Sequence, residues 1–234
     1  PYVPPRRFFE QYDLDEVPLS PTLRDDPAGK PDVVRRMRAA WLSLTDADWR
    51  RITAAYRATV TFLDHEVGRI LQVLKETGQD ENTLVVFTSD HGDMLGGHGL
   101  VAKGVGTPYE EVYNIPLVVR VPRGCMGVCE CGSVGDGVNP HTPTPPYSHT
   151  LTNGALVGTV DLAPTLLDLC GAPALPAAQG RSLRPLLEGT ARAEEWQDAY
   201  AEFYGQRFVY TQRITWHGDW KYVFSPGGRD ELYH

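Results

Sequence analysis

A long amphipathic stretch that leads directly into a short apolar one is the feature that most constrains the fold. From about residue 46 to residue 77, apolar side chains recur at steps of three and four residues, the spacing of one helix face. Thr45 and Asp48 form a capping-box pair at its start, and Gly78 suits a C-terminal cap. The next run, Thr83–Thr88, is short, β-prone and apolar, so we predict a strand buried on both faces. This succession is typical of a parallel α/β sheet.

The remaining segments predict further helices and a strand of the α/β fold, followed by a group of strands near the C-terminus. Ile115–Val121 predicts a second strand, helices are expected at about 32–42 and 161–170, and the Pro-rich residues 1–31 predict an extended segment on a surface. Near the C-terminus, three stretches predict strands without long helices between them: Tyr200–Tyr204, Arg207–Trp216 and Trp220–Phe224. These strands indicate a small antiparallel subdomain.

The predicted fold class is therefore α/β, with a mostly parallel sheet flanked by helices and a small C-terminal antiparallel sheet. We expect residues 1–190 to form part of an α/β domain and residues 191–234 to begin the antiparallel subdomain. Residues 123–157 are rich in Gly and Pro, and a structureless stretch of that length is unusual inside a compact domain. They are interpreted as an insertion loop.

The charge balance bears on the class of partner. The chain carries 22 Lys+Arg against 30 Asp+Glu, a formal net charge of −8. Nucleic-acid binding requires a basic face, so this balance argues against a nucleic-acid partner. No apolar run approaches the roughly 18 residues of a membrane span.

Three of the four cysteines are clustered, at Cys125, Cys129 and Cys131. The cluster lacks the paired C-x-x-C halves of a structural zinc site. Three interpretations stay open: a metal knuckle, a local disulfide, or ordinary loop thiols.

The residues that follow the first predicted strand carry the most chemistry. Asp90 and His91 come directly after it, and ligands of α/β sheets collect outside the carboxyl ends of strands. An adjacent Asp-His pair can supply an oxygen and a nitrogen to one metal ion. A Gly-rich loop that could surround an anion follows, and Lys103 then offers a compact positive charge suited to an oxyanion. The alternatives are that Asp90 caps a turn, that His91 is a core histidine and that Lys103 is solvated.

The stretch that contains these residues resembles the sulfatase family of the alkaline phosphatase superfamily. It runs over Asn82–Pro122 (NTLVVFTSDHGDMLGGHGLVAKGVGTPYEEVYNIPLVVRVP). Other segments resemble the family in the same order: the opening PYVPPRRFF, Tyr56–Gly78, Val160–Gly171, Gly180–Gly189, Lys221–Val223 and Glu231–Tyr233. The resemblance covers nearly the whole chain apart from about 123–157.

This resemblance implies an α/β sandwich with a smaller C-terminal antiparallel sheet. It implies hydrolysis of small-molecule or carbohydrate sulfate esters at a divalent cation, usually calcium, with a formylglycine nucleophile made in a C/S-x-P-x-R motif. By motif match, Asp90 and His91 would be metal ligands and Lys103 would contact the sulfate. His98 lies in the matching loop and is a further candidate catalytic residue.

The sequence departs from the family in one major respect. None of its cysteines, and no serine, begins a C/S-x-P-x-R motif, and the family's early Asp-Asp metal pair is missing. We therefore expect the chain to be the C-terminal part of a longer sulfatase, truncated at both ends and inactive alone. The alternatives are a phosphonate monoester or phosphodiester hydrolase of the same superfamily and a non-catalytic remnant.

Two structural expectations follow. Asp90 and His91 should converge on one side of the sheet's carboxyl edge, with Lys103 in a common cleft. A sheet without its first strands should also leave a strand edge or a helix face uncovered, so that the isolated chain expresses poorly or self-associates.

Overall fold

The computed structural model describes residues 2–103, 106–122, 153–205 and 210–234. The chain divides into two compact units, one comprising Pro1–Arg120, Ala201–Ile214 and Tyr222–Tyr233, the other Val121–Tyr200, Thr215–Lys221 and His234. The predicted division at residue 190 stays a prediction. Most of the expected insertion, with the three clustered cysteines, lies outside the described residues.

Helices α1 (Arg6–Phe9), α2 (Asp32–Ala39) and α3 (Asp46–Glu76) open the first unit. The expectation that residues 1–31 are wholly extended is wrong, because α1 forms within them behind Pro5, whose fixed φ suits a helix start. The segment lies against α3: the Phe8 ring is 5.3 Å from that of Phe62, and the Tyr12 and Thr61 hydroxyls are 2.7 Å apart.

The start of α3 is fixed by the predicted capping box. The Thr45 hydroxyl accepts a hydrogen bond from the Asp48 backbone N–H at 3.2 Å, while the Thr45 backbone N–H donates to the Asp48 carboxylate at 2.8 Å. Two of the orphan donors at the helix start are thereby satisfied. At the other end Gly78 adopts the left-handed φ of +67°, as its predicted role as a cap requires.

Strands β1 (Val85–Thr88) and β2 (Leu117–Arg120) form a two-stranded sheet, and the pairing corrects two predictions. The strands are antiparallel, so the mostly parallel sheet is not confirmed. Parallel neighbours need a long crossover, whereas the described residues between the two strands, 89–103 and 106–116, contain only short helical turns and the helix α4 (Glu110–Tyr113). Nor is β1 buried on both faces: Phe87, paired with Val118, is exposed, as is Val118.

The core of the first unit lies beneath the loop that follows β1. Met94 and Leu100 from this loop pack with Val34 of α2 and with Tyr109, and all four are almost fully buried. The burial of two loop side chains anchors the loop to the body of the unit.

The second unit contains α5 (Leu162–Leu169) and α6 (Arg184–Leu187). The buried carboxylate of Asp161 accepts hydrogen bonds from the backbone N–H groups of Gly158 and Arg181, both at 2.9 Å. The Arg181 guanidinium stacks 3.5 Å from the centre of the Trp196 ring. These contacts join two of the segments in which the family resemblance was noted.

The C-terminal strands form the predicted small antiparallel sheet. It has four strands in the order of the sequence, β3 (Asp198–Phe203), β4 (Gln212–His217), β5 (Trp220–Phe224) and β6 (Glu231–Tyr233). Gly218, with a φ of +54°, and Asp219 form the two-residue turn between β4 and β5. Its strands supply residues to both units.

One face of α3 is apolar and exposed, as the second structural expectation predicts. Ile70 is 63% exposed and Val73 is 56% exposed, and Leu63 and Val60, about two and three turns before Ile70, are also exposed. Contiguous apolar surface of this kind marks a surface that other protein can cover. No helix in the described part of the chain is both long enough and apolar enough to cross a bilayer.

Candidate functional site

Asp90 and His91 lie immediately after β1, where the chain leaves the sheet. The Nδ1 atom of His91 lies 2.8 Å from the carbonyl oxygen of Gly92. A carbonyl oxygen only accepts, so Nδ1 carries the proton and the Nε2 lone pair is left available. Nε2 is 3.5 Å from Asp90 Oδ2, so the nitrogen and the carboxylate converge as predicted.

Local hydrogen bonds keep the Asp90 side chain anionic. The His91 backbone N–H donates to Asp90 Oδ1 at 3.0 Å, and this hydrogen bond is the main cause that lowers the pKa of the Asp90 carboxyl. The Asp90 side chain is 85% exposed and that of His91 is 38% exposed. The pair therefore presents a carboxylate and an imidazole nitrogen at an open surface.

The donor chemistry of this pair fits part of a divalent-cation site. Zn–N and Ca–O bonds are about 2.0–2.6 Å long, so two donor atoms 3.5 Å apart can touch one ion. No cluster of three or more His, Cys, Asp or Glu side chains with metal-binding geometry occurs within residues 2–103, 106–122, 153–205 and 210–234. Asp90 and His91 can thus supply two ligands of a larger set.

Gly92 sets the direction in which the pair points. Its backbone N–H donates to the carbonyl oxygen of Val112 at 2.9 Å. A Cβ atom at this position would overlap the backbone oxygen of Glu111 and would lie 3.0 Å from its carbonyl carbon. Only glycine allows the chain to approach α4 this closely.

The loop from Met94 to Ala102 has an unusual backbone. Three residues other than glycine adopt left-handed φ angles within it: Leu95 at +43°, His98 at +53° and Ala102 at +62°. Such conformations are costly and persist where surrounding contacts over-determine them. Here the Met94 backbone N–H donates to the Ala102 carbonyl at 2.9 Å and that of Gly96 donates to the Leu100 carbonyl at 2.8 Å, closing the loop.

Lys103 follows this loop directly and its side chain is half-buried. The bond between Met94 and Ala102 ties the residue before Lys103 to a residue four positions after Asp90. Within the described residues, Lys103 forms no ion pair with a carboxylate. The convergence of Lys103 with Asp90 and His91 in one cleft stays a prediction.

His98 lies between two carboxylates. Its Nδ1 is 2.9 Å from Asp25 Oδ2, its Nε2 is 3.8 Å from Glu111 Oε1, and its side chain is 22% exposed. The ring stacks on Tyr109 with centroids 3.9 Å apart and planes 14° from parallel. The His98 backbone N–H also donates to the Thr22 hydroxyl at 3.1 Å.

Sequence reasoning missed the residues that surround His98. Asp25 is 73 positions away along the chain, and no local pattern signals the contact. Tyr109 and Glu111 lie within the stretch that carries the family resemblance. An aromatic residue and an acid on either side of Glu110 are only a weak indication there of contacts to a functional residue. Tyr2 was also missed: its hydroxyl donates to Asp93, two residues after His91, and burial raises the pKa of Tyr2.

Comparison with known proteins identifies the family to which the chain belongs. The Sulfatase family model matches residues 4–172. An arylsulfatase from Clostridium perfringens is 31% identical over 201 residues, which cover 85% of this chain and 37% of that protein. Among solved structures, a phosphonate monoester hydrolase from Silicibacter pomeroyi matches with a TM-score of 0.75 and 27% identity, over 99% of this chain and 46% of its own.

A second solved structure carries a bound substrate. It is a complex with D-glucosamine-2-N,6-O-disulfate, and it matches with a TM-score of 0.62 and 26% identity over 85% of this chain and 37% of its own. The chain thus spans less than half the length of these relatives. The matched region includes α3, β1, the Asp90–His91 pair and the loop to Lys103. The chain belongs to the sulfatase family of the alkaline phosphatase superfamily.

Proposed function

We propose that this chain supplies part of the active site of a sulfatase that hydrolyses small-molecule or carbohydrate sulfate esters. The observation that carries the proposal is the free Nε2 of His91, 3.5 Å from an anionic Asp90 carboxylate. A relative that carries D-glucosamine-2-N,6-O-disulfate as its substrate supports a sulfated carbohydrate.

Asp90 and His91 would hold a divalent cation. When bound, the cation would supply positive charge that stabilises the sulfate oxygens. The hydrogen bond from His91 Nδ1 to the Gly92 carbonyl fixes the orientation of the ring, so that Nε2 remains the ligand atom. Calcium, which the resemblance implies, takes six to eight oxygen ligands, so further oxygen donors would come from sequence outside these residues.

Lys103 would donate hydrogen bonds to the sulfate oxygens through its ammonium group. Charge on those oxygens shifts during attack at sulfur, and a positioned cation favours the transition state over the ground state. The nucleophile would be a formylglycine made from Cys or Ser in a C/S-x-P-x-R motif, which these 234 residues do not contain. We accordingly propose that the complete active site includes sequence beyond this chain.

A phosphonate monoester hydrolase is the second candidate. The match to the Silicibacter pomeroyi enzyme, which covers 99% of this chain, favours it specifically. Sulfate and phosphonate esters both present anionic oxygens to a cation and a lysine, so the described residues suit either substrate.

The test compares aryl sulfate, aryl phosphate and aryl phosphonate esters as substrates of the protein with its upstream sequence and of the 234-residue chain alone. We expect turnover of the sulfate ester only by the longer protein, and a loss of about 10²–10³ in kcat for Lys103→Ala, by analogy with the removal of an oxyanion-hole donor. Asp90→Asn and His91→Gln should lower the bound-metal content, measured by mass spectrometry.

Three results would decide against this proposal. A preference for the phosphonate ester would establish the second candidate. Full activity of the Lys103→Ala variant would remove Lys103 from the site. A longer protein without turnover of any ester would favour the non-catalytic remnant.

A further inference from the structure

The side chain of His98 has little freedom to act as an acid, a base or a ligand. Both ring nitrogens face carboxylates, Nδ1 at 2.9 Å from Asp25 and Nε2 at 3.8 Å from Glu111. One face of the ring is covered by Tyr109 at a centroid distance of 3.9 Å. A histidine that is hydrogen-bonded at Nδ1, faces a second carboxylate at Nε2 and is stacked on one face is suited to fixing the position of the chain that carries it.

The backbone of His98 lies at the tip of the strained loop. Its φ of +53° is adopted between Gly96 and Gly99, which are also left-handed. Non-glycine residues take this conformation at a cost, which contacts elsewhere must offset. The ring contacts with Asp25, Glu111 and Tyr109 can offset this cost, together with the hydrogen bond from the His98 backbone N–H to the Thr22 hydroxyl.

The platform beneath the ring is itself fixed. Tyr109 is buried, and the ammonium of Lys30 lies 5.6 Å from the centre of its ring. Lys30 is in turn held by Glu231 of β6 at 3.0 Å, whose side chain is 7% exposed. All of these residues belong to the first unit, so His98 is attached to a rigid base.

The strained loop from Met94 to Ala102 leads directly into Lys103. Ala102, the residue before it, is left-handed, and its carbonyl accepts the bond from the Met94 N–H that closes the loop. If the tip of the loop is released, the closing bond and the direction in which Lys103 leaves the loop are released with it.

We infer that His98 is a positioning residue: it lies between Asp25 and Glu111, stacks on Tyr109, and holds the Met94–Ala102 loop, and with it Lys103, in one conformation. This assigns His98 a different role from the catalytic one expected from the sequence. The consequence for turnover rests on the proposed function of Lys103, whereas the order of the loop does not.

The first measurement is amide hydrogen exchange across residues 94–103 of the 234-residue chain, with wild type beside His98→Asn. Asparagine tolerates a left-handed φ, so this variant removes the ring without adding backbone strain. Loss of the stack and of the contacts with the two carboxylates should raise the exchange rate of the loop about 5–30-fold while α3 keeps its wild-type rate. His217→Asn is the matched control. His217 also contacts a carboxylate, that of Asp198 at 2.7 Å, but its side chain is far more exposed than that of His98 and it is remote in sequence from the loop.

A second variant keeps the test decisive if His98→Asn does not fold. Asp25→Asn leaves the ring in place and removes one charge, and it should raise loop exchange roughly 2–5-fold. Tyr109→Phe retains the ring that His98 stacks on and should leave loop exchange unchanged. Unchanged exchange in both His98→Asn and Asp25→Asn, or a uniform increase across the whole chain, would overturn the inference.

The second measurement is a double-variant cycle for ester hydrolysis in the active, longer protein. If His98 acts through Lys103, His98→Asn should lower kcat/KM about 5–30-fold in the wild type and cause no further loss in Lys103→Ala. Equal losses in both backgrounds would show that His98 acts independently and would overturn the inference. If the wild type hydrolyses no ester, the proposed function fails, while the exchange experiment still decides whether His98 holds the loop.

Discussion

Gly92→Ala should destabilise the protein through a single close approach of two backbones. The added Cβ would overlap the backbone oxygen of Glu111 and would lie 3.4 Å from Val112 Cα. The obstacle is backbone of α4 and cannot rotate away as a side chain could. The chain at residue 92 must therefore move by about 1 Å or more to reach ordinary van der Waals separation.

This movement has two costs. Overpacking at a rigid contact costs about 1–3 kcal/mol. The same shift lengthens the 2.9 Å hydrogen bond from the Gly92 N–H to the Val112 carbonyl, whose loss costs about 1 kcal/mol. We expect a total loss of about 2–4 kcal/mol, and a displaced Gly92 carbonyl that no longer holds the His91 ring.

The assay is urea unfolding followed by circular dichroism and tryptophan fluorescence. Gly68→Ala is the matched control: Gly68 lies in α3 with nothing within 4 Å of an added Cβ, so alanine should stabilise the helix by about 0.5–1 kcal/mol. The same substitution thus has opposite expected signs at two sites. A Gly92→Ala variant as stable as the wild type would show that the turn after β1 does not approach the backbone of α4 closely.

Four further predictions concern stability and association. Thr45→Ala should lower the free energy of unfolding by about 1 kcal/mol, and Thr45→Ser should not. Hydrogen bonds from the Thr45 side chain and backbone lower the pKa of Asp48 in the folded protein. The contribution of Asp48 to the free energy of unfolding is therefore present above the unfolded pKa near 3.8 and is lost as the pH falls through the lower folded value. Asp48→Asn should destabilise the protein at pH 7 and much less at pH 3, as measured by urea unfolding. Lys30→Met should cost about 2–4 kcal/mol because it leaves the Glu231 carboxylate buried without its cation, whereas an unchanged urea midpoint would contradict this pairing. Ile70→Lys with Val73→Lys should reduce self-association in sedimentation velocity, since it places charges on the exposed apolar face of α3; Gln72→Lys on the same helix should not.

Features that depend on neighbours in sequence were predictable. The capping box of Thr45 and Asp48, the helix α3 and the turn between β4 and β5 each arise from residues a few positions apart. The convergence of Asp90 and His91 was predictable for the same reason, because adjacent residues after a strand share one local geometry.

The direction of strand pairing was not predictable from these patterns. Apolar runs at β1 and β2 look alike in a parallel or an antiparallel pair, because the alternation of side chains is the same in both. The expectation of a parallel, doubly buried sheet came from the helix before β1. The structure differs because β2 pairs antiparallel with β1, and the described residues between them, 89–103 and 106–116, contain only short helical elements.

The sequence by itself determined the local elements and the types of side chain presented between Asp90 and Lys103, because hydrogen bonds along the chain and side-chain periodicity act over a few residues. Only the tertiary structure decided the surroundings of His98. Its contact with Asp25 joins residues 73 positions apart, and its stacking on Tyr109 depends on how the loop packs against α2 and α4. Such contacts form only when burial of distant apolar residues, here Met94, Leu100 and Val34, offsets the entropy of ordering the chain between them.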